Sequence, residues 1–97
     1  MVINEKLVIK LIVTNHPGVM SHITGLFSRR AFNLEGILCG AITGSEKSVM
    51  YLLVKNDERL EQIIKQLKKL YDIQDVSIME HYNPLVFSEI DELIKSE

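Results

Sequence analysis

Residues 6–20 read KLVIKLIVTNHPGVM, and this stretch decides the fold because it joins a strand pattern directly to a helix start. Within KLVIKLIVT every second residue is a large aliphatic one, which is typical of a strand with a buried face. The residues on that face are Leu7, Ile9, Leu11 and Val13. The segment NHPG ends the strand, and apolar residues at three- and four-residue spacing in residues 19–30 then predict a helix. A second strand is predicted over residues 33–42.

The same order of patterns occurs a second time. Residues 48–55 predict a third strand, a second helix is predicted to begin at Asn56 and Asp57, and residues 73–81 predict a fourth strand. Two strand–helix–strand units predict a ferredoxin-like βαββαβ arrangement, which is an α+β fold. Right-handed crossovers then place two helices on one face of a four-stranded antiparallel sheet, with the first and third strands central.

The chain divides into one domain, residues 1–83, and a C-terminal tail, residues 84–97. Apolar residues of the tail recur at helical spacing. Two interpretations stay open: a short helix docked on the domain, or a flexible arm that a partner orders.

The second face of the predicted sheet is also apolar. Strands that are apolar on both faces are usually covered on both faces, although isolated apolar residues on a surface are normal. Because these residues form a patch on adjacent central strands, we predict that they meet a partner. The residues of this predicted docking surface are Val8, Ile12, Tyr51 and Leu53.

Composition excludes several classes of function. Eleven Lys and Arg against 13 Asp and Glu give a formal net charge of −2, whereas nucleic-acid binders usually carry a basic face. The single cysteine, Cys39, lies within a predicted strand, so we expect a buried structural thiol and a reducing, cytoplasmic compartment. We expect no signal peptide, and no apolar run approaches the roughly 20 residues of a membrane span.

We find no catalytic or metal site in the sequence. The three histidines have no ligand spacing, which argues against a bound metal. Ser21 has no evident base and does not lie in a nucleophile-elbow motif. The residues therefore favour a binding or regulatory role over catalysis.

The segment between the first strand and the first helix is the best candidate for a binding site. No Asp or Glu lies in the first turn of this helix, so its free amides suit an external anion such as a carboxylate. Gly18 has no side chain to block a ligand. Asn15 either binds a ligand or is a plain helix cap followed by proline, and the residues leave both readings open. Asn33 is a weaker candidate, since asparagine is common in turns.

These residues together resemble a known family. NHPGVMSHITGLFSRRAFNLEGILCG, residues 15–40, is similar to the start of the regulatory small subunit of acetohydroxyacid synthase (acetolactate synthase), in its short form with a single ACT domain. That enzyme is the first common one of branched-chain amino acid synthesis. The similarity continues through residues 47–70 and reaches NPLVF in the tail.

The resemblance implies an ACT fold, a homodimer and feedback inhibition by valine. Because an apolar pocket separates neighbouring aliphatic amino acids only modestly, we expect leucine or isoleucine as further ligands. Residues that match the family's ligand-binding motif are Asn15, Gly18, Val19, Met20 and, from the second copy, Asn33. The resemblance also implies that a large catalytic subunit is activated, and that thiamine diphosphate, Mg²⁺ and FAD are carried there, with no cofactor on this chain. The alternative is a stand-alone ACT protein that senses another small ligand and regulates a different enzyme.

Overall fold

The computed structural model describes residues 6–15, 17–79, 81–83 and 85–88. The elements, in chain order, are β1 (Lys6–Thr14), α1 (Val19–Arg29), β2 (Leu34–Ala41), β3 (Lys47–Lys55), α2 (Leu60–Lys68), β4 (Ile73–Met79) and α3 (Leu85–Ser88). The predicted βαββαβ order is confirmed, and we name β1–α1–β2 the first unit and β3–α2–β4 the second. None of the helices in these ranges is long and apolar enough to span a membrane.

The four strands form one antiparallel sheet in the order β2-β3-β1-β4. The first and third strands are central, as predicted. Ile9 pairs with Leu52 and Leu11 with Met50, so the aliphatic faces of the two central strands coincide. Among the described residues only β3 borders β2, so no described strand pairs with the other edge of β2.

Both long helices cover the same face of the sheet and close the hydrophobic core. The core takes β1 residues Leu7, Ile9, Leu11 and Val13, β3 residues Met50, Leu52 and Val54, α1 residues Val19, Ile23, Leu26 and Phe27, and α2 residues Leu60, Ile63 and Leu67. Burial of side chains of this size stabilises a fold by about 1.5–3 kcal/mol each before entropy is subtracted.

The second helix begins later than predicted. Residues 57–59 form a turn, in which the backbone N–H of Arg59 donates to Asp57 Oδ1 at 2.7 Å, and α2 starts at Leu60. An aspartate that accepts a nearby backbone N–H favours a turn over a helix interior, which explains the shift. The fourth strand ends at Met79 rather than at residue 81, and residue 80 lies outside the described residues.

The end of α1 forms a Schellman motif. The backbone N–H of Phe32 donates to Phe27 O at 2.9 Å, and that of Ala31 donates to Ser28 O at 3.1 Å. This motif requires a left-handed residue, which is Ala31 at φ 51°. The rings of Phe27 and Phe32 meet edge to face with centroids 5.8 Å apart, which supplies the hydrophobic contact of the motif.

Cys39 is exposed, so the prediction of a buried thiol is wrong for this chain. The residue lies on β2, which is an edge strand among the described residues and pairs there with β3 alone. The sequence pattern identified the strand correctly, but it carries no information about which strands lie at an edge.

Candidate ligand-binding turn and docking surface

The candidate ligand-binding turn, residues 14–20, is held to the sheet at its first end. The backbone N–H of Thr14 donates to Asp72 O at 2.9 Å, and that of Asn15 donates to Glu46 O at 2.8 Å. Gly18 then adopts φ 94°, a left-handed conformation that glycine accepts without strain. The turn therefore presents an exposed Asn15 side chain and an exposed Gly18 backbone next to the start of α1.

The N-terminus of α1 has neither a side-chain cap nor an acid in its first turn, within the described residues. Helical hydrogen bonding begins where the N–H of His22 donates to Gly18 O at 3.0 Å. The amides of Val19 and Met20 precede that bond, so they have no acceptor within the helix. The interpretation of Asn15 as a plain helix cap is therefore wrong, since the cap residue is Gly18.

Asn33 lies at the opposite end of the sheet from Asn15. Asn33 precedes Leu34, which pairs with Val54 on β3, and Val54 pairs in turn with Leu7 near the start of β1. Asn15, in contrast, follows Thr14 at the end of β1. Leu7 and Thr14 are seven residues apart on β1, which is about 24 Å along a strand. One chain therefore does not bring the two asparagines together.

The predicted docking surface is partly covered. Val8 is 2% exposed and Leu53 is 8% exposed, whereas Ile12 and Tyr51 are half-buried. Phe87 of α3 lies over Gly36, because a Cβ placed on Gly36 would come within 2.6 Å of the Phe87 ring. Gly36 pairs with Leu53, so the tail covers the sheet face that the sequence analysis expected a partner to contact.

A groove of about 280 Å³ remains between the tail and the sheet. Its lining is almost entirely apolar and consists of Val8, Leu38, Tyr51 and Met79 from the sheet and Tyr82, Asn83, Val86 and Phe87 from the tail. The side chain of Asn83 accepts the backbone N–H of Leu85 at 3.0 Å, which starts the α3 turn. The tail beyond residue 88 lies outside the described residues.

The family follows from a comparison with known proteins. The model of the AHAS small subunit-like ACT domain matches residues 9–75. The chain belongs to this family. The sequence is 49% identical over 87 residues to the acetolactate synthase isozyme 1 small subunit of Escherichia coli K12, and the match covers 90% of each chain.

Two further relatives agree. The ACT domain is 41% identical over 70 residues to a probable acetolactate synthase small subunit of Archaeoglobus fulgidus, which covers 71% of this chain and 44% of that one. The crystal structure of the acetolactate synthase small subunit from Thermotoga maritima superimposes with a TM-score of 0.68 at 34% identity, covering 82% of this chain and 48% of that chain. The resemblance seen in the sequence is confirmed, and family and fold support a regulatory subunit.

The described part of this ACT domain offers no cluster of three metal-ligating side chains. It does contain a pair that sequence analysis missed: Nδ1 of His22 lies 2.5 Å from Oδ2 of Asp72, a carboxylate that is 1% exposed. The two residues are 50 positions apart, and neither lies in a recognisable motif. The one available signal was an acid at the start of a predicted strand, which is too common to be informative.

Proposed function

We propose that this chain is the valine-binding regulatory subunit of acetohydroxyacid synthase, which activates the large catalytic subunit and makes it sensitive to feedback inhibition. The observation that carries the proposal is the start of α1, where the uncapped helix of an AHAS small subunit-like ACT domain presents its amides beside Gly18. The large subunit carries thiamine diphosphate, Mg²⁺ and FAD in this proposal, and this chain carries no catalytic group.

The chemistry of the turn fits an α-amino acid. The carboxylate accepts hydrogen bonds from the amides around Gly18, Val19 and Met20, where the helix dipole favours negative charge. The ammonium group requires acceptors, which the side-chain oxygens of Asn15 and of Asn33 from a second copy supply. An apolar pocket separates neighbouring aliphatic amino acids by only about 1–3 kcal/mol per methylene, so leucine and isoleucine compete with valine.

A two-fold dimer would complete such a site. The outer edge of β2 is suited to pair with β2 of a second copy, because no strand in the described part of the chain pairs with it on that side. Two-fold pairing runs the strands in opposite directions, so the Asn33 end of one copy meets the Ala41 end of the other. Ala41 pairs with Ser48 at the same end of the sheet as Asn15.

Calorimetry with valine tests the ligand assignment. We expect Asn15→Ala and Asn33→Ala each to weaken valine binding at least about tenfold, because hydrogen bonds to a charged group are worth about 1.5–3 kcal/mol. Gln62→Ala, at an exposed position of α2, is the matched control and should bind as wild type does. Equal affinity in all four proteins, or a monomer in sedimentation at micromolar concentration, would contradict the proposal.

Docking on the large subunit uses the second sheet face in this proposal. Ile12 and Tyr51 are the accessible members of the predicted surface, while Val8 and Leu53 are reached only if α3 moves aside. Tyr51→Asp should dimerise and bind valine but fail to activate the large subunit. Full activation by this variant would place the docking surface elsewhere, and failure of the wild type to co-purify with a large subunit would favour a stand-alone ACT protein. Linkage requires that valine and the large subunit change each other's affinity by the same factor.

A further inference from the structure

Asp72 is the one fully buried charged residue in the described part of the chain, with 1% of its surface exposed. Burying a carboxylate is costly unless it is hydrogen-bonded. Asp72 lies in the connection between α2 and β4, outside the turn that the proposed function uses. A buried acid at this position therefore needs an explanation beyond the packing of the core.

The contacts of Asp72 reach Thr14, which begins the ligand-binding turn, and His22, which lies in α1 two residues after the turn. Its backbone oxygen accepts the N–H of Thr14, the last residue of β1, at 2.9 Å. Its Oδ2 lies 2.5 Å from Nδ1 of His22 in α1. We assign the donor role in this hydrogen bond to Nδ1 of His22, because an ionised carboxylate can only accept.

His22 also takes part in the first hydrogen bond of the helix. Its backbone N–H donates to the oxygen of Gly18, the left-handed residue whose amide the proposed ligand approaches. The ring of Tyr71, the residue before Asp72, meets the His22 imidazole edge to face, with centroids 6.1 Å apart. The position of the His22 side chain thus bears directly on the position of the first helical turn.

We propose that Asp72, acting through His22 and Thr14, is a positioning residue that holds the turn in the conformation that binds the amino acid. This inference rests on the proposed function and adds a residue pair to it. A turn held at its start and through the helix that follows it loses less freedom when the ligand binds, so the pair raises affinity by preorganisation without touching the ligand.

Two variants of His22 separate this role from a merely structural one. An asparagine side chain places its amide nitrogen near the position of Nδ1, whereas glutamine places its own near Nε2. His22→Asn therefore keeps a donor for Asp72, and His22→Gln does not. Asparagine has the lower helix propensity of the two, so a role through helix stability alone predicts the opposite ranking. The side chain of His22 is 45% exposed, which makes both variants compatible with folding.

The experiment measures valine affinity by calorimetry in wild type and both variants, and amide hydrogen exchange at Thr14 and His22 without valine. We expect His22→Gln to lose at least about tenfold in affinity and to exchange faster at both amides, and His22→Asn to stay within about threefold of wild type. In the holoenzyme, His22→Gln should activate the large subunit fully yet require more valine for inhibition.

Each outcome decides one question. Equal valine affinity in the two variants, or weaker binding by His22→Asn than by His22→Gln, would overturn the positioning role. Failure of the wild type to bind valine would overturn the proposed function instead. In that case the exchange data still decide, because equal exchange at Thr14 and His22 in both variants would show that Asp72 does not hold the turn.

Discussion

The helices of the two units occupy equivalent places in the fold but begin in different ways. α2 follows a turn that Asp57 stabilises, and Glu61 lies in its first turn. α1 begins at Gly18 with neither a side-chain cap nor an acid in its first turn, within the described residues. Since the positive end of a helix attracts negative charge, the second unit satisfies its helix with its own acids, whereas the first leaves its amides accessible.

The two units also differ in their second strands. Both second strands lie at an edge of the sheet, β2 beside β3 and β4 beside β1, but their composition differs. β2 carries Gly36 and Gly40 on one face and exposes Cys39, whereas β4 carries the charged Asp75. A repeated motif therefore yields one unit whose helix start leaves its amides open and whose edge strand is rich in glycine. The comparison suggests that the two units share a fold but not a function, and four substitutions test this.

The largest effect is expected when α1 receives the acid that α2 already has. Met20 and Glu61 are the second residues of their helices, and Met20 is 39% exposed. Met20→Glu should weaken valine binding about tenfold to a hundredfold, because two like charges about 5 Å apart near a protein surface repel by about 3 kcal/mol before screening. Calorimetry measures the change.

The controls for this change distinguish charge from shape. Met20→Gln has similar size and no charge, so its valine affinity should stay near that of wild type. Glu61→Gln should leave valine affinity unchanged and lower the free energy of unfolding by about 0.3–1 kcal/mol, through loss of the dipole interaction. An unchanged valine affinity in Met20→Glu would show that no ligand carboxylate lies at this helix start.

A smaller effect is expected on β2. Gly36→Ala places a Cβ within 2.6 Å of the Phe87 ring, so α3 must shift or leave the sheet. Overpacking of this kind costs about 1–3 kcal/mol if the contact is kept. Faster amide exchange at Leu85, whose N–H donates to Asn83, would show that the tail has moved.

Gly40 is the matched control for Gly36. It lies on the same face of β2, and a Cβ there has nothing within 4 Å. Gly40→Ala should therefore leave both stability and the exchange of Leu85 near those of wild type. The same behaviour in Gly36→Ala would mean that Phe87 is not packed on the sheet.

The end of α1 should respond with a gain in stability. Ala31 has φ 51°, a conformation that costs a non-glycine residue about 1–2 kcal/mol. Glycine removes this cost, but its larger loss of conformational entropy on folding offsets part of the gain. Ala31→Gly should raise the free energy of unfolding by about 0.5–1 kcal/mol in urea titration. Ala31→Val, with a β-branched side chain at the same φ, should lower it; a gain in both variants would contradict the Schellman geometry.

The smallest effect concerns the start of α2 and depends on pH. The backbone N–H of Arg59, and then its side chain, hold the pKa of Asp57 below its usual value. A carboxyl whose pKa falls on folding stabilises the fold at pH values above its unfolded pKa, which is about 3.9 for aspartate. That stabilisation is lost as the pH falls through the lower pKa of the folded state. Asp57→Asn should be slightly less stable than wild type at neutral pH.

Urea unfolding at two pH values checks this prediction. The difference between Asp57→Asn and wild type should shrink towards zero at strongly acidic pH, where the carboxyl is protonated in both folded and unfolded chains. A difference that persists in acid would assign the effect to packing or hydrogen-bond geometry rather than to charge.

Local patterns in the sequence determined the elements and their order. Alternating aliphatic residues predicted β1, and the repeated strand–helix–strand order predicted the central places of β1 and β3, because crossover handedness leaves few topologies. The absence of acids from the first turn of α1 could also be predicted from the sequence, since a helix start and its first turn are adjacent in the chain. The helix start at Leu60 was missed by three residues because Asp57 favours a turn.

Only the tertiary structure decided which distant residues meet. His22 contacts Asp72 across 50 positions, Phe87 covers Gly36, and Asn33 lies at the far end of the sheet from Asn15. The exposure of Cys39 depends likewise on β2 being an edge strand. Periodicity reports the environment of a residue relative to its own strand or helix, whereas these contacts depend on strand order, register and the path of the tail, which the packing of the whole chain sets.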